Sequence, residues 1–499
     1  MEAVSNLLSG FEHALTLEAL IACFAGVTVG TFVGALPGVG PLAAISLCLP
    51  LTYYFDPLVA LIMLAGIFYG SQYGGSISAI LLNLPGDPSA AITCLDAYPI
   101  TKSGRPGMAL FITTTASFIG GSIGIVILLS VTEPLSDLAL AFSSADYFSL
   151  ILFCLLASSM LAIGSPLKGL TMVVLGLLLG MVGTDVTSGQ ARFTGGNSVL
   201  LDGIDLTAMM MGLFGVAEVL NTYVGGNQPS VSTRKVSLRS MIPARHEFAQ
   251  ALKPALRGTA VGSVVGVLPG MGATLATIIA YAVEKRVAKD PSRFGKGAIE
   301  GIASPEAANN ASVQTAFVPT LGLGIPGDAV MAVLVGALMI HGIQPGPLFI
   351  VQQPELFWGL VASMWIGNAM LLILNIPMIG IWVRMLTIPP NVLYPTILLL
   401  VCLGVYSINN SAFDVLMTIG FGIAGFCLGR HSYPMASLVL GFILSPLLEE
   451  HFRRTMLISD GDLTALFQSN ISAIFLGLAF LVLISPFRRL LARRSRTDV

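Results

Sequence analysis

Apolar residues along this chain do not follow the period of a half-buried strand or of a one-faced soluble helix. They run nearly unbroken for a dozen or more positions, as in Ile151–Ile163 and Ser469–Ser485, and are punctuated by short polar or Pro-Gly segments. A transmembrane barrel would instead show roughly 10-residue alternating segments. The pattern predicts an all-α polytopic membrane protein. Spans are expected near residues 107–132, 147–167, 168–183 and 207–224, and again near 357–383, 391–408, 412–429, 433–448 and 462–486. Between the two sets lies a polar, basic linker, residues 225–257. It divides a first membrane repeat (1–224) from a second (258–486), which is followed by a basic tail, 487–499.

Composition agrees with that reading. Of the 499 residues 55% are hydrophobic and 10% charged, and the mean hydropathy is +0.86. A soluble domain carries about 25% charged residues, so the outer surface of this chain is expected to face lipid. The 54 glycines suit close approach of membrane helices. The net charge of −2 names no partner, and nothing points to nucleic acid. Six scattered cysteines read as small apolar fillers, and five histidines without ligand spacing point away from a metal site. No basic region precedes the first apolar stretch, so a cleavable signal peptide is not expected.

The two halves repeat each other. Gly30, Gly34, Pro37, Gly38 and Gly40 form a GxxxGxLPGxG pattern that returns as Gly262, Gly266, Pro269, Gly270 and Gly272, an offset of 232. A second motif, Pro-Gly-Asp, ends at Asp87 and again at Asp328, an offset of 241. Two motifs in one order at nearly one offset argue for an internal duplication. The basic segments around Arg239 and around Lys289 are both expected on the cytoplasmic side. Only residues 258–284 lie between them, so that stretch is expected to be a re-entrant hairpin with arms of about 11 residues, each reaching about mid-membrane. The first copy, flanked by Glu12, Glu18 and Asp56, is placed on the opposite side, which makes the repeats inverted.

Backbone broken at membrane depth must face protein or a wet cavity. Half-helix N-termini there offer N–H groups to anions, and carbonyls can hold cations. Pro37, Gly38, Gly40, Pro269, Gly270 and Gly272 are therefore candidate substrate-binding positions at two hairpin tips. Ser76, Asn83, Asn309 and Asn310 add hydroxyl and amide groups. Asp87 and Asp328 are candidates for coupling to a cation, Na⁺ or H⁺; as helix N-caps they would serve packing alone. His341 reads as a loop residue.

At these motifs the chain resembles the large membrane subunit of the tripartite tricarboxylate transporters. The stretches that carry the resemblance are Gly34–Tyr53, Ala60–Pro88 and Lys296–Pro347. The resemblance implies a multi-pass protein of the bacterial inner membrane that works with a small membrane subunit and a periplasmic solute-binding protein. It implies cation-coupled uptake of small carboxylates without ATP or other cofactor, and leaves room for a homo-oligomer. No GxxxxGK[ST] motif is present. The competing expectations are a stand-alone exchanger or channel and, more remotely, an intramembrane aspartyl protease using Asp87 and Asp328.

Overall fold

The computed structural model describes residues 2–36, 40–161, 165–185, 188–225, 241–268, 272–385 and 390–497. Among them the chain is almost wholly helical, with one two-residue strand pair, Gly183–Thr184 with Ala191–Arg192. Among the described residues six helices are long and apolar enough to cross a membrane.

The first half runs α1 (Glu2–Ala14), α2 (Leu17–Ala35), α3 (Gly40–Thr52), α4 (Pro57–Leu82), α5 (Ala91–Lys102), α6 (Pro106–Leu140), α7 (Ser144–Leu161), α8 (Pro166–Gly180), α9 (Leu206–Met210) and α10 (Ala217–Gly225). A π-helical turn, Met211–Val216, joins α9 to α10. The second half runs α11 (Arg245–Val267), α12 (Gly272–Val287), α13 (Glu300–Thr315), α14 (Phe317–Leu323), α15 (Ala329–Ile340), α16 (Phe349–Gln352), α17 (Pro354–Asn375), α18 (Ile379–Met385), α19 (Pro390–Asn409), α20 (Ala412–Arg430), α21 (Met435–Ile458) and α22 (Asn470–Thr497). Proline opens α4, α6, α8 and α17, where its missing N–H is an orphan in any case.

Several boundaries differ from the sequence expectation. The helix expected at 107–132 continues to Leu140, through Pro134. The span expected at 357–383 is two helices, α17 and α18, and the one expected at 433–448 runs on to Ile458. Helix α11 begins at Arg245, so Lys253 and Arg257, counted with the linker, lie on the helix itself. In the second copy α11 and α12 pack side by side. Arg257 on α11 and Glu284 on α12 meet through two hydrogen bonds, 2.9 and 2.5 Å, so the chain turns back between them. Beyond that ion pair each arm has about the length expected. Below it, α11 extends a further three turns.

The duplication recurs in the packing. Gly26, Gly30 and Gly34 on α2 lie against the backbone carbonyls of Met63, Ile67 and Ser71 on α4. Gly258, Gly262 and Gly266 on α11 lie in the same way against Ser304, Ala308 and Ser312 on α13. Offsets of 232 on one helix and 241 on the other carry the first ladder onto the second, residue by residue. A Cβ at any of the six would come within 2.0–2.4 Å of a carbonyl oxygen, a clash that only glycine avoids. The copies also interlock: α6 packs along α13, with Gly120 against Ala307, and α17 packs along α4, with Gly367 against Tyr69. Outside this centre, α7 and α8 pack with α21 and α22, and Gly176 and Gly441 bring α8 and α21 together.

Candidate functional site

The two Pro-Gly-Asp segments are built alike. Helix α4 ends at Asn83 and α14 at Gly324, both left-handed, with φ of 58° and 72°. The turn brings Gly86 N–H to the Gly75 carbonyl and Gly327 N–H to the Thr320 hydroxyl, each at 3.3 Å. Each aspartate then accepts from a backbone N–H three residues on. Asp87 accepts from Ala90 at 3.0 Å, ahead of α5, and Asp328 from Met331 at 2.9 Å, at the start of α15. Both are therefore helix N-caps. Asp87 is also 2.7 Å from the Ser89 hydroxyl, which lies 2.9 Å from Gln72 Oε1.

The centre of the interlocked copies holds a carboxylate that the motifs did not single out. Glu306, on α13, is 1% exposed. Ser76 Oγ on α4 lies 2.9 and 2.8 Å from its two oxygens. Thr93 Oγ1 on α5 bonds to one oxygen, and Ser117 Oγ on α6 is 3.3 Å from the other. All three hydroxyls are buried. Asp87 is a second carboxylate within electrostatic reach.

Helical spacing puts Asn309 and Asn310 one turn beyond Glu306 on the same helix. Asn310 Nδ2 donates back to the Glu306 carbonyl at 3.2 Å. Asn309 is 1% exposed, and neither its Oδ1 nor its Nδ2 has a partner among the described residues. Gln314 Oε1, on the side of α13 that meets α6, is likewise buried and unpaired. Buried amides are normally satisfied, so each orphan asks for an explanation.

The sequence-derived candidates thus divide. Ser76, Asp87, Asn309 and Asn310 gather around Glu306. Asp328 lies beside Gly272, which opens α12 with φ 61°; a Cβ there would come 3.6 Å from that of Asp328. Gly40 opens α3 with φ 66° and has open space around it. Asn83 is exposed at the end of α4. Pro37, Gly38, Pro269 and Gly270 lie outside the described residues. His341 falls in the turn after α15, as expected of a loop residue.

A third buried carboxylate, Asp96 on α5, has a different role. One of its oxygens accepts the backbone N–H groups of Gly295, Gly297 and Ala298 at 2.8–2.9 Å, and the other accepts from the Tyr281 hydroxyl at 2.9 Å. It clamps the basic loop of the second copy to the first. Beside that loop is a cavity of about 330 Å³, lined by Ser103, Arg105, His246, Glu247, Arg293 and Lys296 among others. None of the candidate site residues lines it. Arg105 makes a bidentate pair with Glu247, 2.7 and 2.8 Å, in the first turn of α11. Arg105 holds the Glu247 carboxyl down at about 2, despite some desolvation. No group of three or more His, Cys, Asp or Glu side chains is placed to hold a metal among the described residues.

Long apolar helices, glycine-mediated packing and a polar cluster sealed among them define a polytopic helical membrane protein. The chain belongs to the tripartite tricarboxylate transporter TctA family, whose model matches residues 20–440; the resemblance noted in the sequence is thereby established. It is 49% identical over 485 residues to an uncharacterized 52.8 kDa protein of the TAR-I ttuC' 3' region in Agrobacterium vitis, covering 97% of this chain and 96% of that one. It is 55% identical over 223 residues to an uncharacterized protein of the TAR-II ttuC' 3' region in the same organism, covering 45% of this chain and 92% of that one. No solved structure matches.

Proposed function

We propose that this protein is the substrate-translocating subunit of a cation-coupled importer of small carboxylates, tricarboxylates such as citrate among them. It works in the bacterial inner membrane with a small membrane subunit and a periplasmic solute-binding protein. The family is one of transporters, so the chain is read as a carrier and not an enzyme. The observation that carries the substrate site is the Asn309 amide, buried with both polar atoms unpaired one turn from Glu306. An amide that must be satisfied, with no partner for it among the described residues, suits a polar ligand that comes and goes. The N–H groups opening α3 and α12, where Gly40 and Gly272 stand, would take the carboxylates of the ligand, and Asp87 and Asp328 would lie on the coupling path. The duplicated ladders support two copies moving as matched halves, and their inversion across the membrane is part of this reading.

Uptake of labelled citrate, other tricarboxylates and dicarboxylates into proteoliposomes tests it. The vesicles hold both membrane subunits, with and without the binding protein, under an imposed Na⁺ or pH gradient and no ATP. Accumulation that needs the gradient and the binding protein supports the reading. Uptake indifferent to the binding protein would replace it with a stand-alone carrier. Asn309→Ala is expected to lower apparent substrate affinity at least about tenfold, the worth of one or two lost hydrogen bonds.

A further inference from the structure

The setting of Glu306 differs from that of the two aspartates. Each aspartate spends an oxygen on the backbone N–H groups that begin a helix. Glu306 receives side-chain hydroxyls, from Ser76, Thr93 and Ser117 on three separate helices. No lysine, arginine or histidine pairs with it among the described residues. The titratable groups that face it are Tyr73 on α4, Cys94 on α5 and Asp87 ahead of α5. Further along the neighbouring helices, Arg257 on α11 is taken by Glu284 on α12, and Tyr281 on α12 by Asp96 on α5. Helix α6 brings only Glu133 and Asp137, near its far end, and α14 brings no titratable group.

An ionised carboxylate sealed away from water with no cation is expensive, and protonation removes the cost. Hydroxyls serve both states, because each can donate to a carboxylate or accept from a carboxylic acid. The duplication sharpens the point. The position matching Glu306 in the first copy is Ala65, and those matching Asn309 and Asn310 are Phe68 and Tyr69. The scaffold occurs twice and this carboxylate once.

We propose that Glu306 carries the coupling proton of the transport cycle, an inference that rests on the transport function proposed above. Loading forms one O–H bond on a Glu306 oxygen with a proton taken from the outer side. Release breaks the same bond and delivers the proton inward, and no other covalent bond changes. Ionised Glu306, with Asp87 near it, repels a carboxylate ligand at Asn309 through a low-dielectric interior. Protonated Glu306 does not, and can donate a hydrogen bond. Proton and substrate therefore favour each other's binding, and by linkage the effect is reciprocal.

The test compares wild type with Glu306→Gln, which keeps the shape and a donor but cannot ionise. Both are reconstituted with the small subunit and the binding protein. In the variant pH-driven accumulation is expected to fall by roughly tenfold or more, the scale of a typical coupling free energy, and substrate counterflow to lose the pH dependence it has in wild type. Glu306→Asp is expected to restore part of the accumulation. In infrared difference spectra of the purified protein, a protonated-carboxyl band that titrates in wild type is expected to be missing from Glu306→Gln. That readout does not require transport. Wild type that moves no carboxylate, yet shows the band, would sink the transport reading and leave the proton site. Wild type that transports while Glu306→Gln accumulates substrate equally well would overturn the proposal, as would uptake driven by Na⁺ at every pH with no such band.

Discussion

The pairing of α2 with α4 and that of α11 with α13 are one interface built twice, and they hold different things. Both rest on three glycines four residues apart, laid against the carbonyls of the partner helix. Both lead into a left-handed residue and an aspartate that caps the next helix. Past that scaffold they part. Helix α4 fills the interior with Phe68 and Tyr69, and α13 fills it with Glu306, Asn309 and Asn310. The two ladders give one frame, and the carboxylate and the two amides stand on one side of it. The first copy answers by sending hydroxyls from Ser76 and Thr93 across to the second.

Making the copies alike is the harshest way to break this difference. Ala65→Glu puts a carboxylate into a fully buried position, and the residues that match Ser76 and Thr93 at the same offset are Phe317 and Leu334, which carry no hydroxyl. It is expected to cost about 3–5 kcal/mol, as an uncompensated buried charge does, and to abolish folded protein in detergent chromatography. If Ala65→Glu folds normally, the first copy hides a polar site of its own. Next come the ladders. Gly30→Leu and Gly262→Leu must each displace a backbone carbonyl, at roughly 1–3 kcal/mol or more. Thermal midpoints in detergent should fall alike for the two, and a clear inequality would mean that the interfaces are not equivalent. Thr93→Val keeps the shape and removes one donor to Glu306. It is expected to cost about 1.5–3 kcal/mol, the range for a hydrogen bond to a charged group, with the cost shrinking if Glu306 is neutral at the pH of measurement.

The smallest effect lies at the start of α6 and of α11. Arg105 is half exposed, so its pair with Glu247 is worth at most about 1 kcal/mol once solvent screening is counted. The sign is fixed by the lowered carboxyl. The contribution is complete above the ordinary glutamate value of about 4.3 and is lost as pH falls towards about 2. Arg105→Gln should lower the thermal midpoint slightly at pH 7 and make no difference near pH 2.

Much of the frame was legible in the sequence because its signals are local. Glycine every fourth residue, Pro-Gly-Asp after an apolar run and proline at a first turn each report on a few neighbouring residues. The pairing of α11 with α12 agrees with the charge of the flanks, since Arg257 and Glu284 join the two helices close to where the basic segments meet them. Helix ends were harder. The apolar run of α6 gave no sign that the helix passes Pro134, because a proline in a long helix can be carried by packing on either side. Glu306 stood in view, inside the polar stretch from Ser304 to Asn310, yet its role was hidden. Its three hydroxyl partners are 230, 213 and 189 residues away in the chain, and serine and threonine in membrane helices usually bond to their own backbone. Asp96 escaped for the same reason: the N–H groups it accepts are some 200 residues distant. The signal that would have found Glu306 is the one charged residue in the interior of a helix whose only other charge, Glu300, stands at its first position, at a site where the other copy has alanine.

The interlocking of α6 with α13 also sets an electrical depth. Ser117 lies eleven residues beyond the start of α6 at the basic face, about 16 Å along a helix, and the hydrocarbon layer is about 30 Å thick. With the basic face on the cytoplasmic side, as the transport proposal has it, a proton reaching Glu306 from outside would have crossed roughly half of the membrane field. Since a full crossing is worth about 2.3 kcal/mol per 100 mV, loading this carboxylate would gain about 1 kcal/mol per 100 mV of inside-negative potential. With Glu306 as the proposed proton carrier, the hydroxyl cluster would be a voltage sensor as well as a proton site, and the resting potential of the cell would help fill it before any pH difference is applied.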